Sequence, residues 1–402
     1  LRGLPCGFRS IGGIPAERIE RARQSFFRVF TSHGYSVLLP SAVQLFGSCW
    51  ERLSDEIRNR MISLGTPSGE TGCLSPDITL ASVSFLSAHY APEERPLRIC
   101  YGERVFRSPS APDNTADTFQ LGAELLGWDG EGADVELLTL LLRALDVLGV
   151  EESFVVIGDV TILSSLLAGL PEQTASALRN ALARQSFPAF REIMERAPLP
   201  ESLRSPLNEL PSLRGGMEVL KKASRILPRG CSTEGVGKLA GALCSSGFEE
   251  RVLIDLSLAR ELDYYSGPVF EVFCGKHGKP LGGGGRYDGL LSSFGMMGQA
   301  IGFSLNLDLI LEPSGISPAR SSTVMAWPGK LQPDKALSIA ECITEFNRTI
   351  EMSWVKQRHR SIELARRRNY RWWTDLSEDH VYDLTDGSRR EREEWLKEGW
   401  SG

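Results

Sequence analysis

A chain of 402 residues carrying 45 Lys and Arg against 51 Asp and Glu has a formal net charge of −6. That balance speaks against a general polyanion binder, because proteins that grip nucleic acid usually carry a basic surplus. The length leaves room for two or three domains and a sizeable core.

The eight cysteines (Cys6, Cys49, Cys73, Cys100, Cys231, Cys244, Cys274 and Cys342) form no C-x-x-C pair and have no histidine at ligand spacing. No metal site is expected from them, and they read as buried free thiols in a reducing setting. The N-terminal residues show no signal-like pattern, and no apolar run is long enough to span a bilayer. A soluble cytoplasmic protein is the expectation.

Ile14 and Pro15 open an amphipathic helix in which Ile19, Ala22, Phe26 and Val29 recur at helical spacing, up to the breaker His33-Gly34. Residues 35–39 predict a short buried strand closed by Pro40. Further strands are expected at 97–106 and 118–126, separated by a loop over 108–115 rich in turn residues. Residues 133–148 predict an apolar helix. Antiparallel strands with flanking helices make an α+β pattern. From about 165 to 227 the pattern is helical without strand signal, as in an insertion that interrupts a sheet. Strands return at 251–255 and 268–274, and 300–311 predicts an apolar helix. Residues 312–322 have linker composition. Beyond them 323–327, 335–346, 349–352, 361–368 and 370–374 alternate strand and helix, as in a small α/β domain. The expected domains are therefore 1–315 and 316–402.

Several groupings carry chemistry. The stretch Arg260-Glu-Leu-Asp-Tyr-Tyr-Ser-Gly-Pro-Val-Phe-Glu271 is followed by the glycines 282–285 and then Arg286, Tyr287 and Asp288. A guanidinium, two phenols and carboxylates stand there beside a backbone free of Cβ atoms, suited to a ligand that approaches closely. A strand with two tight turns explains the same residues, and the composition does not separate the two. The tetraglycine lacks the spacing of a Walker or Rossmann loop.

On the strand 118–126, Gln120, Gly122 and Glu124 share one face. Gly122 would leave a hollow between two polar side chains, fit for a cationic amino group or an imidazole N–H; a solvated sheet face is the alternative. Asp77 and Thr79 begin an apolar helix, a weak signal alone. The five histidines sit in turn-like or charged contexts, and none reads as catalytic. The basic run 356–373, interleaved with Tyr370, Trp372 and Trp373, suits either RNA contact or the solvated face of a packed helix. The acidic chain favours the helix.

These pieces in this order resemble class II histidyl-tRNA synthetases over nearly the whole chain. The resemblance rests on Gly34-Tyr35 leading to Pro40, on residues 76–79, 101–107 and 120–124, on Arg260 with residues 262–265, on 284–288, and on 302–309 at the place of the third class motif. It implies an antiparallel sheet with a helical insertion and an α/β anticodon-binding domain. It also implies a histidine pocket: Asp77 (a glutamate in the family), Thr79 and Gln120 for the amino group, Glu124, Tyr264 and Tyr265 around the imidazole, Arg260 for the carboxylate, and Arg107 among the histidine-binding residues.

The nucleotide half departs from that family. Arg107 is followed by Ser108 and Pro109 where a glutamate belongs, the loop 108–118 holds no basic residue, and Leu309 stands where an arginine should hold the triphosphate. Losing one such donor typically costs roughly 100- to 1000-fold in rate, so no aminoacylation and no cofactor are expected. A synthetase scaffold with its amino-acid pocket kept and its ATP ligands lost is similar to the family of regulatory subunits of ATP phosphoribosyltransferase. That resemblance implies a non-catalytic partner of the short-form catalytic subunit, self-association as a dimer, and L-histidine as effector. About eighty residues follow the linker, fewer than in a typical anticodon domain, so tRNA reading is not expected. A divergent histidyl-tRNA synthetase is the alternative.

Overall fold

The computed structural model describes residues 3–397 except 92, 93, 95, 110–114, 129, 260–263, 276, 317–322 and 347. The chain forms two compact units, one of residues 1–10 and 21–315, the other of 11–20 and 316–402.

The first unit is built on a nine-stranded mixed sheet. In chain order its strands are β1 (Ser36–Val37), β5 (Leu97–Phe106), β6 (Asp117–Leu126), β7 (Ser153–Asp159), β8 (Arg214–Gly215), β9 (Val252–Asp255), β10 (Pro268–Cys274), β11 (Gly282–Arg286) and β12 (Ala300–Asn306). Between β1 and β5, the strands β2 (Val43–Leu45), β3 (Ser63–Gly65) and β4 (Thr71–Leu74) form a separate small sheet. The order across the large sheet is β1-β5-β6-β12-β11-β10-β7-β9-β8. The β1–β5 and β7–β9 pairs are parallel, and the pairs from β5 through to β7 are antiparallel.

The helix Ile14–Thr31 forms as its periodicity predicts, burying Phe26 and Phe30, whose rings lie 6.2 and 5.8 Å from Phe303 of β12. Helix Glu131–Val147 buries a leucine-rich stripe. Helices Glu172–Ala183, Phe187–Arg196, Glu201–Glu209 and Glu218–Ile226 occupy the stretch expected to be helical.

Four expectations are corrected. Residues 300–311 are not one helix but strand β12 followed by the short helix Leu307–Ile310. A strand buried on both faces loses its alternation, and an apolar run of that kind cannot be told from a helix by period alone. The four glycines are not a turn; they run through β11, between β10 and β12. A Cβ at Gly284 would collide with the Gly302 carbonyl, and one at Gly282 with that of Ser304. The glycines let neighbouring backbones close up.

Segment 35–39 supplies only the two exposed residues of β1, while Tyr35 and Leu38 beside them are buried. The insertion is not free of strand, since Arg214–Gly215 adds an edge to the sheet through β9. Strand β7 and the small sheet carry no expectation at all. Of the eight thiols, Cys49, Cys73, Cys100 and Cys274 are buried, while Cys6 and Cys342 are exposed.

The second unit holds a five-stranded mixed sheet made of β13 (Thr323–Trp327), β14 (Thr349–Met352), β15 (Trp372–Asp375), β16 (His380–Asp383) and β17 (Arg389–Glu391), in the order β14-β13-β15-β16-β17. The first three strands run parallel, as the alternation with helices Pro333–Glu345 and Arg358–Arg367 requires. Strands β16 and β17 add an antiparallel hairpin. Tyr370, Trp372 and Trp373 are buried in this unit, and helix Arg358–Arg367 turns Ser361 and Ala365 inward while Arg360, Arg366 and Arg367 face solvent. The aromatics of the basic run are core side chains, not a stacking platform.

Among the described residues no helix is long and apolar enough to cross a membrane.

Candidate functional site

Glu124 sits near the middle of the large sheet, opposite Ile99 of β5 and Gly302 of β12. Its side chain is fully buried. The space for it comes from Gly302: a Cβ there would overlap Oε2 of Glu124. Three hydroxyls meet the carboxyl. Thr79 Oγ1 donates to Oε1 at 2.7 Å, Tyr101 OH donates to Oε1 at 3.2 Å, and Tyr287 OH donates to Oε2 at 2.6 Å. Burial pushes this carboxyl up to about 8; the bonds from Tyr287 and Thr79 pull it down, and the nearby charge of Asp77 raises it further.

The hollow expected over Gly122 is filled from within the protein. Tyr101 lies opposite Gly122 in the sheet register, and its phenol ring occupies the place a Cβ would need. Gly122 thus serves to bring Tyr101 onto Glu124 and does not leave an open ligand space of its own. Gln120, on the same face, is half-buried between Glu103 and Asn306 of the flanking strands.

Helix Ile78–His89 delivers the next two groups. Asp77 is its N-cap and accepts from the Leu80 N–H at 2.8 Å. The same cap orients the first turn, so that Thr79 faces Glu124. Arg107, at the end of β5, donates from Nε to the Pro76 carbonyl at 2.8 Å and brings Nη2 to 3.9 Å from Asp77 Oδ2. Burial raises the Asp77 carboxyl above its ordinary value, with Arg107 pulling the other way.

The tyrosines complete the wall. The Tyr264 ring lies 5.1 Å from Tyr265 and 5.9 Å from Tyr287, and all three pack on the apolar cluster that includes Leu80, Val83, Leu126 and Ala300. Tyr287 is placed by the sheet, its N–H donating to the Ala300 carbonyl at 2.8 Å. The adjacent Arg286 is anchored in a buried pair with Asp134 at 2.6 Å and donates to Gln299 at 2.7 Å.

The structure therefore brings together Asp77, Thr79, Arg107, Glu124, Tyr264 and Tyr265, with Gln120 on the same sheet face. Arg260 lies outside the described residues. Pro109 follows Arg107 as a half-buried residue, and Leu309 is half-buried in the helix Leu307–Ile310, its N–H donating to the Asn306 side chain at 3.3 Å. The neighbouring Asp308 is engaged by Arg9 at 2.9 Å. Sequence reasoning gave no role to Tyr101, Tyr287 or Gly302. All three lie in segments that carried the resemblance (101–107, 284–288 and 302–309), but their contact with Glu124 needed the register of β5, β6 and β12. Among the described residues no cluster of three or more His, Cys, Asp or Glu could hold a metal ion.

Residues 7–310 match the profile of the histidyl-tRNA synthetase family. An ATP phosphoribosyltransferase regulatory subunit of Cupriavidus taiwanensis is 33% identical over 322 residues, covering 78% of this chain and 82% of that protein. Its counterpart from Moorella thermoacetica is 29% identical over 331 residues, with the same coverage of 78% and 82%. Among solved structures, an ATP phosphoribosyltransferase regulatory subunit/histidyl-tRNA synthetase from Bacillus halodurans is similar with a TM-score of 0.80 at 25% identity, over 93% of this chain and 97% of that one. A histidyl-tRNA synthetase from Nostoc sp. shares the fold at a TM-score of 0.82 and 17% identity, over 99% of each chain.

Proposed function

The chain belongs to the histidyl-tRNA synthetase family, and from that premise we propose that it is the non-catalytic regulatory subunit of ATP phosphoribosyltransferase. In this role it partners the short-form catalytic subunit in the first step of L-histidine synthesis, in the cytoplasm. The similarity to regulatory subunits from several bacteria supports the reading. One contrast carries it further: an amino-acid pocket retained around Glu124, beside Pro109 and Leu309 where nucleotide ligands belong.

The groups divide by chemistry. Asp77, Thr79 and Gln120 offer oxygens to an α-ammonium group. Glu124, with Tyr264 and Tyr265 beside it, offers an acceptor and aromatic walls to an imidazole. Arg107 and Arg260 supply guanidinium groups for the ligand's carboxylate. With Pro109 and Leu309 at two positions where nucleotide ligands belong, a bound histidine is not activated, and occupancy acts as a signal. That signal requires the pocket to prefer one state of the complex. A tenfold preference corresponds to about 1.4 kcal/mol of coupling.

Self-association is part of the reading. Val37, Leu39, Val43, Leu45 and Trp50 are large apolar side chains left exposed along one stretch of chain, and a second copy of the chain is their proposed cover.

The test is reconstitution. Adding this chain to the purified short catalytic subunit raises phosphoribosyl transfer, and L-histidine then lowers it; a catalytic subunit indifferent to the chain overturns the proposal. Histidine-dependent exchange of pyrophosphate into ATP by this chain alone would favour a divergent histidyl-tRNA synthetase instead.

A further inference from the structure

Two of the buried thiols face each other in the small sheet of the first unit. Helix Phe46–Trp50 buries a single side chain, Cys49, and strand β4 buries Cys73 completely. The register explains the meeting. Cys73 pairs across with Gln44 of β2, and the chain passes straight from β2 into that helix, which packs against β4. Both thiols belong to one apolar cluster with Leu53, Ile57 and Leu80, and the Cys49 thiol donates a hydrogen bond to the Cys73 sulfur. That bond holds Cys73 below the ordinary cysteine value against the opposing effect of burial, while the bond and burial together raise Cys49. A better thiolate touching a second thiol is the arrangement of an attacking and a resolving cysteine. The short helix supplies the access that burial denies. It has five residues, no side-chain bond at its N-cap and one buried side chain, so it opens locally at low cost.

We propose that Cys49 and Cys73 form a peroxide-sensitive modification site, closing to a reversible disulfide that ties helix Phe46–Trp50 to β4 and weakens the amino-acid pocket. Only the effect on the pocket rests on the histidine reading above. The chemistry balances with hydrogen peroxide as oxidant. The Cys73 thiolate attacks one peroxide oxygen, the O–O bond breaks, and the leaving hydroxide takes up a proton to become water. Cys73 is then a sulfenic acid. The Cys49 sulfur attacks it, the S–O bond breaks, and a second water leaves with the thiol proton. The two thiols have lost an electron pair, and the peroxide has gained it. A dithiol reductant reverses the link by exchange.

Strand β4 carries the effect to the pocket. The Leu74 N–H donates to the Ile62 carbonyl at 2.9 Å and the Ser75 N–H to the Ala42 carbonyl at 2.8 Å. The Ser75 carbonyl accepts from the Phe106 N–H at 2.9 Å. Asp77 follows two residues after Ser75, and Arg107 stands next to Phe106. A disulfide draws two sulfurs closer than thiols in contact can come. Strand β4 therefore shifts, and the backbone that places Asp77 and Arg107 shifts with it.

The experiment uses the full chain carrying Cys6→Ser and Cys342→Ser, which removes the two exposed thiols, treated with hydrogen peroxide in its folded state. Trypsin should then release peptides 29–52 and 61–95 joined, at a mass about 2 Da below their sum. Dithiothreitol should separate them. Calorimetry with L-histidine should show an affinity about fivefold or more lower in the linked chain, recovered on reduction. Cys49→Ser on the same background should form no link and keep its histidine affinity through the peroxide treatment. Cys73→Ser serves if that variant does not fold. Peroxide that leaves the two cysteines unlinked, or joins either to another cysteine, overturns the proposal and leaves the pocket reading standing. A linked chain with the affinity of the reduced one overturns it as well. A reduced chain that binds no histidine overturns the pocket reading, and the joined peptides still decide the modification site.

Discussion

At the scale of single residues, Glu124 links stability to pH. Its carboxyl is held at about 8 in the folded protein, against about 4.3 for glutamate in an unfolded chain. Between those values the folded state binds more protons than the unfolded one, so stability falls as pH rises through the window. The slope from this one group is at most about 1.4 kcal/mol per pH unit. Asp134, raised by burial to about 6, adds the same sign of slope only at lower pH. Between pH ~6 and ~8 Glu124→Gln should therefore flatten the dependence, as read by urea midpoints across that range. A variant that keeps the wild-type slope would place the proton elsewhere. Glu124 itself was legible beforehand: a carboxylate four residues from Gln120 on a strand, with glycine between, is an odd thing to find on a solvated face. Its partners were not, because Tyr101 and Tyr287 lie 23 and 163 residues away along the chain.

At the scale of elements, the glycine strand decides how the centre of the sheet is built. Strands β11 and β12 approach so closely that Gly282 and Gly284 admit no side chain, and Gly302 faces the Glu124 carboxyl. Gly302→Ala should destabilise the fold by about 1–3 kcal/mol or more, the usual range for overpacking. It should also displace the carboxyl and abolish histidine binding, measured by melting and by calorimetry on the same preparation. Full histidine affinity in the alanine variant would mean that Glu124 can bind from another position.

In the second unit Trp373 is fully buried and donates from Nε1 to Ser361 Oγ at 2.9 Å. Trp373→Ala should cost about 3–5 kcal/mol and lower the unfolding midpoint of that unit. The contrast between these two regions is instructive. Parallel strands β13, β14 and β15 were readable because the helices Pro333–Glu345 and Arg358–Arg367 separate them. The glycines of β11 and the apolar run of β12 carried no strand period, so their nature appeared only once their neighbours were in place.

At the scale of the whole molecule, exposed apolar area and partner choice come together. Leu39 is 71% exposed and Leu45 51%, and charge placed there should break contacts between copies while leaving the pocket intact. Leu39→Glu with Leu45→Glu is expected to halve the mass seen by light scattering and to leave histidine affinity within about twofold. A mass unchanged from wild type would move the self-association surface elsewhere. Much of the architecture was open to reading along the chain: the long helix Ile14–Thr31, the strands Leu97–Phe106 and Asp117–Leu126, the helical insertion, and the alternation that begins at Thr323.

What the sequence offered by itself is local and chemical: periodic elements, and, through its resemblance to the synthetases, an expected amino-acid pocket with Leu309 and Pro109 expected where nucleotide ligands belong. A residue's identity and its near neighbours are enough to fix such features. The tertiary structure alone decided that β11 is a strand, that Tyr101 fills the space over Gly122, and that the hydroxyls of Thr79, Tyr101 and Tyr287 meet on Glu124. Those outcomes depend on which strands pair and in what register, and pairing between distant segments is set by how closely their backbones pack, a quantity that no short stretch of sequence contains.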